Sequence, residues 1–141
     1  MPRPTVLFLC VHNAGRSQMA AAFARRYGGG RVEVLSGGSE PAAELNPAVR
    51  AAMAERGIDL AGERPRRWTD DDLARADVIV TMGCGEACPL IPGKRYLDWP
   101  VADPAGQPLE RVREIRDEIE RRVVALLAEL GAAGDAPGPG V

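Results

Sequence analysis

The run Val6-Leu7-Phe8-Leu9 stops abruptly at His12-Asn13-Ala14-Gly15, and helical periodicity begins at once. A short apolar run with no polar alternation fits a strand buried on both faces, the usual condition in a parallel sheet covered by crossover helices. Met19, Ala22, Phe23 and Tyr27 recur at helical spacing until Gly28-Gly29-Gly30, and Val32-Glu33-Val34-Leu35 resumes an extended pattern. Asn46 as N-cap, Pro47 at the first helical position and Gly57 past the end frame a helix carrying Val49 and Met53 inward. Thr69 and Asp72 form a weak capping box for a short helix through Leu73 and Ala76, and Val78-Ile79-Val80 follows as a third buried strand. Arg95-Tyr96-Leu97 reads as a fourth strand. Val112, Ile115, Ile119, Val123, Leu126, Leu127 and Leu130 form a long amphipathic helix closed by Gly131. The alternation predicts a three-layer α/β fold with right-handed crossovers. Ligands in such folds sit beyond the carboxyl ends of the strands, where Cys10, Cys84 and the segment after Leu97 all fall.

A chain of 141 residues suits one domain, expected over residues 1–131, with a Pro/Gly-rich tail over 132–141 expected to be disordered. No apolar run approaches the roughly 18 residues of a membrane span, and no signal-peptide core precedes Val6. The start therefore reads as a mature, cytoplasmic one. With 18 basic and 20 acidic residues interspersed, the chain has no electrostatic footprint for nucleic acid or an anionic membrane. Three cysteines without an export signal read as reduced, reactive thiols rather than a disulfide framework.

The chemistry concentrates in Cys10-Val11-His12-Asn13-Ala14-Gly15-Arg16-Ser17, a cysteine, five residues, an arginine and a serine between a strand and a helix. Five intervening residues let the backbone curl until its N–H groups converge on an anion, and the helix adds its positive end. Residues Val11 to Arg16 are thus the expected oxyanion cradle, closed by the planar donor fork of Arg16. The same dipoles favour Cys10 as an attacking thiolate, with Ser17 close enough to hydrogen-bond the sulfur. His12 is expected to contribute its backbone N–H at the loop surface.

This loop, near the start of a small α/β chain, resembles that of the low-molecular-weight protein tyrosine phosphatase superfamily, which includes thioredoxin-coupled arsenate reductases. The resemblance covers nearly the whole chain before the tail. It implies a four-stranded parallel sheet, Cys10 as nucleophile, Asn13 stabilising the loop, Arg16 binding the oxyanion, Ser17 supporting the thiolate and Asp103 as general acid on a mobile loop. On physical grounds alone, Asp103 is an acidic turn residue before Pro104.

Cys84 and Cys88, in Thr81-Met82-Gly83-Cys84-Gly85-Glu86-Ala87-Cys88-Pro89, separate the two activities within that superfamily. A phosphatase has no use for them, whereas a thiol enzyme that reduces arsenate must regenerate its sulfur by thiol-disulfide exchange. The resemblance implies a relay from Cys10 to Cys84 to Cys88, with arsenate as substrate and phosphate or sulfate as its mimics. No tightly bound cofactor is expected; reducing equivalents would come from thioredoxin or from a low-molecular-weight thiol such as mycothiol or glutathione. If Cys84 and Cys88 share a helical turn, a rise of about 1.5 Å per residue sets their Cα atoms roughly 6 Å apart, within disulfide reach. Better-known reductases of the superfamily space these cysteines more widely and often carry another cysteine where Ala14-Gly15 stands. Ala105-Gly106 replaces the aromatics with which the phosphatases grip a substrate ring, so the pocket should favour a small anion.

Cys10, His12, Cys84 and Cys88 could also be read as zinc ligands, but His12 is the sole histidine and the loop suits an anion better, so no metal site is expected. Some relatives hold a monovalent cation through an acidic residue of the first helix, where Ala21 and its neighbours offer no carboxylate. Trp68 and Trp99 read as local packing, and Arg64, Arg66 and Arg67 as a solvated loop.

Overall fold

All six residues of strand β1 (Thr5–Cys10) are buried, and the strand lies at the centre of the sheet. The computed structural model describes residues 3–83 and 92–132; Cys84, Cys88 and residues 133–141 of the expected tail lie outside the described residues, whereas Ala132, expected as the first residue of that tail, is buried and donates its N–H to the Leu127 carbonyl at 2.8 Å. Helix α1 (Arg16–Gly28) and a 3-10 turn (Gly29–Arg31) lead to β2 (Glu33–Gly38). Helices α2 (Pro47–Ala54) and α3 (Asp70–Arg75), strands β3 (Val78–Thr81) and β4 (Arg95–Asp98), and helix α4 (Leu109–Glu129) complete the order. The strands run β2-β1-β3-β4, and every pair is parallel.

Side chains of β1 alternate between two cores, as the pleat of a strand requires. Val6, Phe8 and Cys10 face the larger core, shared with α1, α2 and α4; Leu7 and Leu9 face a smaller one closed by Leu73, Ala76 and Ile79. Trp99 belongs to the first core, its ring centroid 6.0 Å from that of Phe8, and Trp68 packs on the second. The predicted three-layer α/β architecture and the four-stranded parallel sheet are both present.

Local signals place the helices as read. Asn46 caps α2 by accepting from the Ala48 N–H at 2.9 Å, and Thr69 and Asp72 form a reciprocal capping box on α3. Strand β2 runs further than the apolar pattern indicated. Ser36, Gly37 and Gly38 pair with Phe8, Leu9 and Cys10, and the small residues leave room for the backbone of Trp68. Arg64, Arg66 and Arg67 are exposed, as read, and two of them also anchor the loop. Arg66 donates to the Ser36 carbonyl at 2.5 Å and to Asp72 at 2.8 Å, and Arg67 donates to the Ser39 carbonyl at 2.7 Å. Backbone carbonyls at a sheet margin recruit these guanidinium groups, and hydropathy carries no trace of that.

Helix α2 is tied to α4 by Glu55, which accepts from Arg113 and Arg116, both at 2.7 Å at closest. Arg116 itself is buried and also donates to the Ala52 carbonyl at 2.9 Å. The hydrogen bonds from Arg113, then Arg116, hold the Glu55 carboxyl down from 4.5 to about 2. A carboxylate depressed on folding stabilises the native state above its unfolded value and loses that contribution as pH falls through its folded one. Thermal midpoints of the wild type should therefore decline between pH 4.5 and about 2 more steeply than those of Glu55→Gln.

Candidate active site

Peptide planarity explains how the loop after β1 turns its N–H groups to one side. The carbonyls of Cys10, Val11, His12 and Ala14 accept the N–H groups of Ser39, Glu40, Ala42 and Asn46 at 3.2, 2.8, 3.0 and 3.0 Å. In a trans peptide the C=O of one residue and the N–H of the next point opposite ways, and no cis bond occurs among the described residues. The N–H groups of Val11, His12, Asn13 and Gly15 are therefore turned away from that segment. The Asn13 N–H accordingly reaches the Cys10 Sγ at 3.3 Å. Helix α1 begins at Arg16, just after the loop, with no acidic residue in its first turn to offset its positive end.

Asn13 sets the hydrogen-bond direction at the sulfur. Its φ of 49° lies in the left-handed region that asparagine tolerates better than most residues. Its Oδ1 accepts the backbone N–H of Arg66 at 2.9 Å and Nε2 of Gln18 at 3.1 Å. A backbone N–H can only donate, so Nδ2 must face the other way, toward the Ser17 Oγ at 2.6 Å. Against a Cys10 thiolate, which has no proton to give, the Ser17 hydroxyl can only donate to the Sγ, 2.8 Å away. A thiolate at Cys10 thus has two donors, the Asn13 N–H and the Ser17 O–H.

Arg16 is buried and anchored, donating to the Val101 carbonyl at 3.3 Å and lying 3.6 Å from the Asp103 carboxylate. Asp103 is 46% exposed, and its Oδ1 accepts the Ala105 N–H at 3.0 Å. Sequence reasoning missed the seat of Arg16. Gly83 has a φ of +83°, and a Cβ there would stand 2.3 Å from the Arg16 Nη1. Only glycine combines that backbone with so close an approach. The close approach of Gly83 to Arg16 has no linear signal.

Cys10, His12, Ala14, Gly15, Arg16 and Asp103 all line one cleft of about 530 Å³, completed by residues 42–47 and 104–105. His12 is exposed on its wall. The structure thus brings together Cys10, the cradle, Arg16, Ser17 and Asp103, whereas Cys84 and Cys88 lie outside the described residues. A nucleophilic sulfur, an inward nest of amides, an arginine and a carboxyl at the mouth can together bind and attack a tetrahedral oxyanion.

The sequence profile of the low molecular weight phosphotyrosine protein phosphatases matches residues 5–136. The chain belongs to this family. Among solved structures, a thioredoxin-dependent arsenate reductase of Corynebacterium glutamicum is 45% identical with a TM-score of 0.81, covering 92% of this chain and 63% of its own. This chain thus spans less than two thirds of that relative. The glutaredoxin arsenate reductase of a Synechocystis strain is 35% identical over 128 residues, covering 89% of this chain and 97% of its own. An arginine phosphatase from Geobacillus stearothermophilus is 28% identical with a TM-score of 0.79, covering 91% and 93%. Reductases and a phosphatase of this family therefore share the fold of this chain. Among the described residues, no helix is long and apolar enough to cross a membrane.

Two substitutions test the geometry. Removing a hydrogen bond to a charged group costs about 1.5–3 kcal/mol, so Ser17→Ala should slow iodoacetamide alkylation of Cys10 at neutral pH by roughly 10-fold or more. Gly83→Ala should displace the Arg16 guanidinium and weaken protection of Cys10 by inorganic phosphate by a similar factor, with the far-UV circular dichroism unchanged.

Proposed function

We propose that this chain reduces arsenate to arsenite, with Cys10 as nucleophile and Cys84 and Cys88 as the thiols that regenerate it. The observation carrying the proposal is the placement of the Cys10 Sγ under two donors, in the cleft that holds Arg16 and Asp103. Arsenate has the tetrahedral oxyanion geometry that an amide nest and a guanidinium fork fit. Cys10 attacks arsenic, and Asp103 protonates the departing oxygen, leaving a sulfur–arsenic(V) bond. Cys84 then attacks the Cys10 Sγ. The sulfur–arsenic bond breaks with its electron pair going to arsenic, arsenite departs, and a Cys10–Cys84 disulfide remains. Cys88 attacks Cys84, restoring the Cys10 thiol and leaving a Cys84–Cys88 disulfide for an external dithiol to reduce.

Reduction is favoured over hydrolysis because Cys84 follows directly on Gly83, so the chain enters its cysteine-bearing segment beside the oxyanion-binding guanidinium. Thioredoxin is the partner we assign, in keeping with the name of the corynebacterial relative and with a reducing, cytoplasmic setting. The Synechocystis relative is named for glutaredoxin, which keeps a glutathione- or mycothiol-linked route as the second reading for the electron source.

Arsenate-dependent NADPH oxidation with thioredoxin and thioredoxin reductase is expected for the wild type and should vanish in Cys10→Ser. Cys84→Ser should still bind phosphate yet stop after a single adduct. Full coupled turnover by Cys84→Ser would sink the relay, and hydrolysis of an aryl phosphate without arsenate turnover would make the chain a phosphatase.

A further inference from the structure

Asn46 sends three of its four polar groups to three parts of the molecule. Its backbone N–H donates to the Ala14 carbonyl in the nucleophile loop at 3.0 Å, its Oδ1 accepts the Ala48 N–H of α2 at 2.9 Å, and its Nδ2 donates to the Pro104 carbonyl at 3.5 Å. The amide orientation follows from the chemistry, since the Ala48 N–H can be met only by an acceptor, which leaves Nδ2 for Pro104. Pro104 directly follows Asp103, and its carbonyl also takes the Gln107 N–H at 3.1 Å, closing the turn that carries the carboxyl. Because 3.5 Å is the long end of hydrogen-bond distance, packing matters as well. A Cβ at Gly15 would lie 2.7 Å from the Pro104 Cγ, so the proline ring rests directly on the nucleophile loop.

We propose that Asn46 is a positioning residue for Asp103, registering the acid-bearing turn against the nucleophile loop. This inference rests on the reading of Asp103 as the acid. Capping α2 would be served as well by aspartate or serine, which rank with asparagine as N-caps. Registration of the turn needs in addition a side-chain N–H donor at the reach of Nδ2, which neither replacement supplies. In the folded chain Asn46 lines the same cleft as Cys10, Arg16 and Asp103, so a small rotation there shifts the carboxyl relative to the anion.

The test is a double-mutant cycle with Asn46→Asp, Asn46→Ser and Asp103→Asn, reading arsenite formation and phosphate protection of Cys10 from iodoacetamide. Misplacement of a catalytic group by about 1 Å can cost up to about 100-fold. Each Asn46 variant should therefore lower kcat about 10-fold, and Asn46→Ser, which adds no charge to the cleft, should keep KM within about 2-fold and phosphate protection unchanged. In the Asp103→Asn background the same substitutions should change kcat by less than about 2-fold, because residues acting through one group are not additive. A loss that adds in full to Asp103→Asn, or phosphate protection of Asn46→Ser that weakens in step with its kcat, would overturn the proposal. Should the wild type form no arsenite, the cycle is read on hydrolysis of phenyl phosphate, whose poor leaving group needs the same acid. A wild type inactive in both assays would overturn this inference together with the reading it rests on.

Discussion

The side-chain amide of Asn13 converts backbone geometry into sulfur chemistry. Its oxygen is committed to the Arg66 N–H and Gln18, so its nitrogen is committed to Ser17, whose hydroxyl can only donate when it meets a Cys10 thiolate. Each commitment follows from which atoms can donate and which can only accept. The amide is fully buried, where an unpaired polar group is costly, so the chain of bonds is hard to reverse. The left-handed backbone at Asn13 belongs to the same device, since it accompanies the turn that brings the residue's own N–H onto the sulfur.

The rest of the fold presents this device to solvent on one side only. Strand β1, buried on both faces, delivers Cys10 to the carboxyl edge of the sheet, and α1 starts immediately after the cradle. Segments from three other regions then close on the loop. Residues 39–46 take its outward carbonyls, residues 64–66 hold Gln18 and Asn13, and Val101 with Asp103 meets Arg16. A loop of mostly small residues gains rigidity from the layers packed around it. The oxyanion chemistry we propose needs that rigidity, because donors fixed in advance need not reorganise as charge develops.

Much of this was legible in the residues. Continuous apolar runs marked β1 and β3, capping chemistry at Asn46 and Thr69 marked α2 and α3, and the Cys10-to-Ser17 spacing at a strand-to-helix junction marked the cradle. All are local properties, read within a few residues. The end of β2 was not legible, because Ser36-Gly37-Gly38 has no strand-like hydropathy and pairs only since β1 lies alongside it. Nor was the anchoring of Arg66, whose partners Ser36 and Asp72 lie 30 and 6 residues away.

The sequence by itself therefore determined the order of elements and the place of the Cys10-to-Arg16 loop between β1 and α1, because each depends on spacing along one short stretch of chain. Tertiary structure alone decided which groups hold Asn13, where Arg16 is seated and how Asp103 is brought to the cleft. Those are contacts between residues as far apart as Arg16 and Val101, separated by 85 positions. They join side chains to backbone atoms, and every residue carries the same backbone groups, so no pattern of residue types announces them.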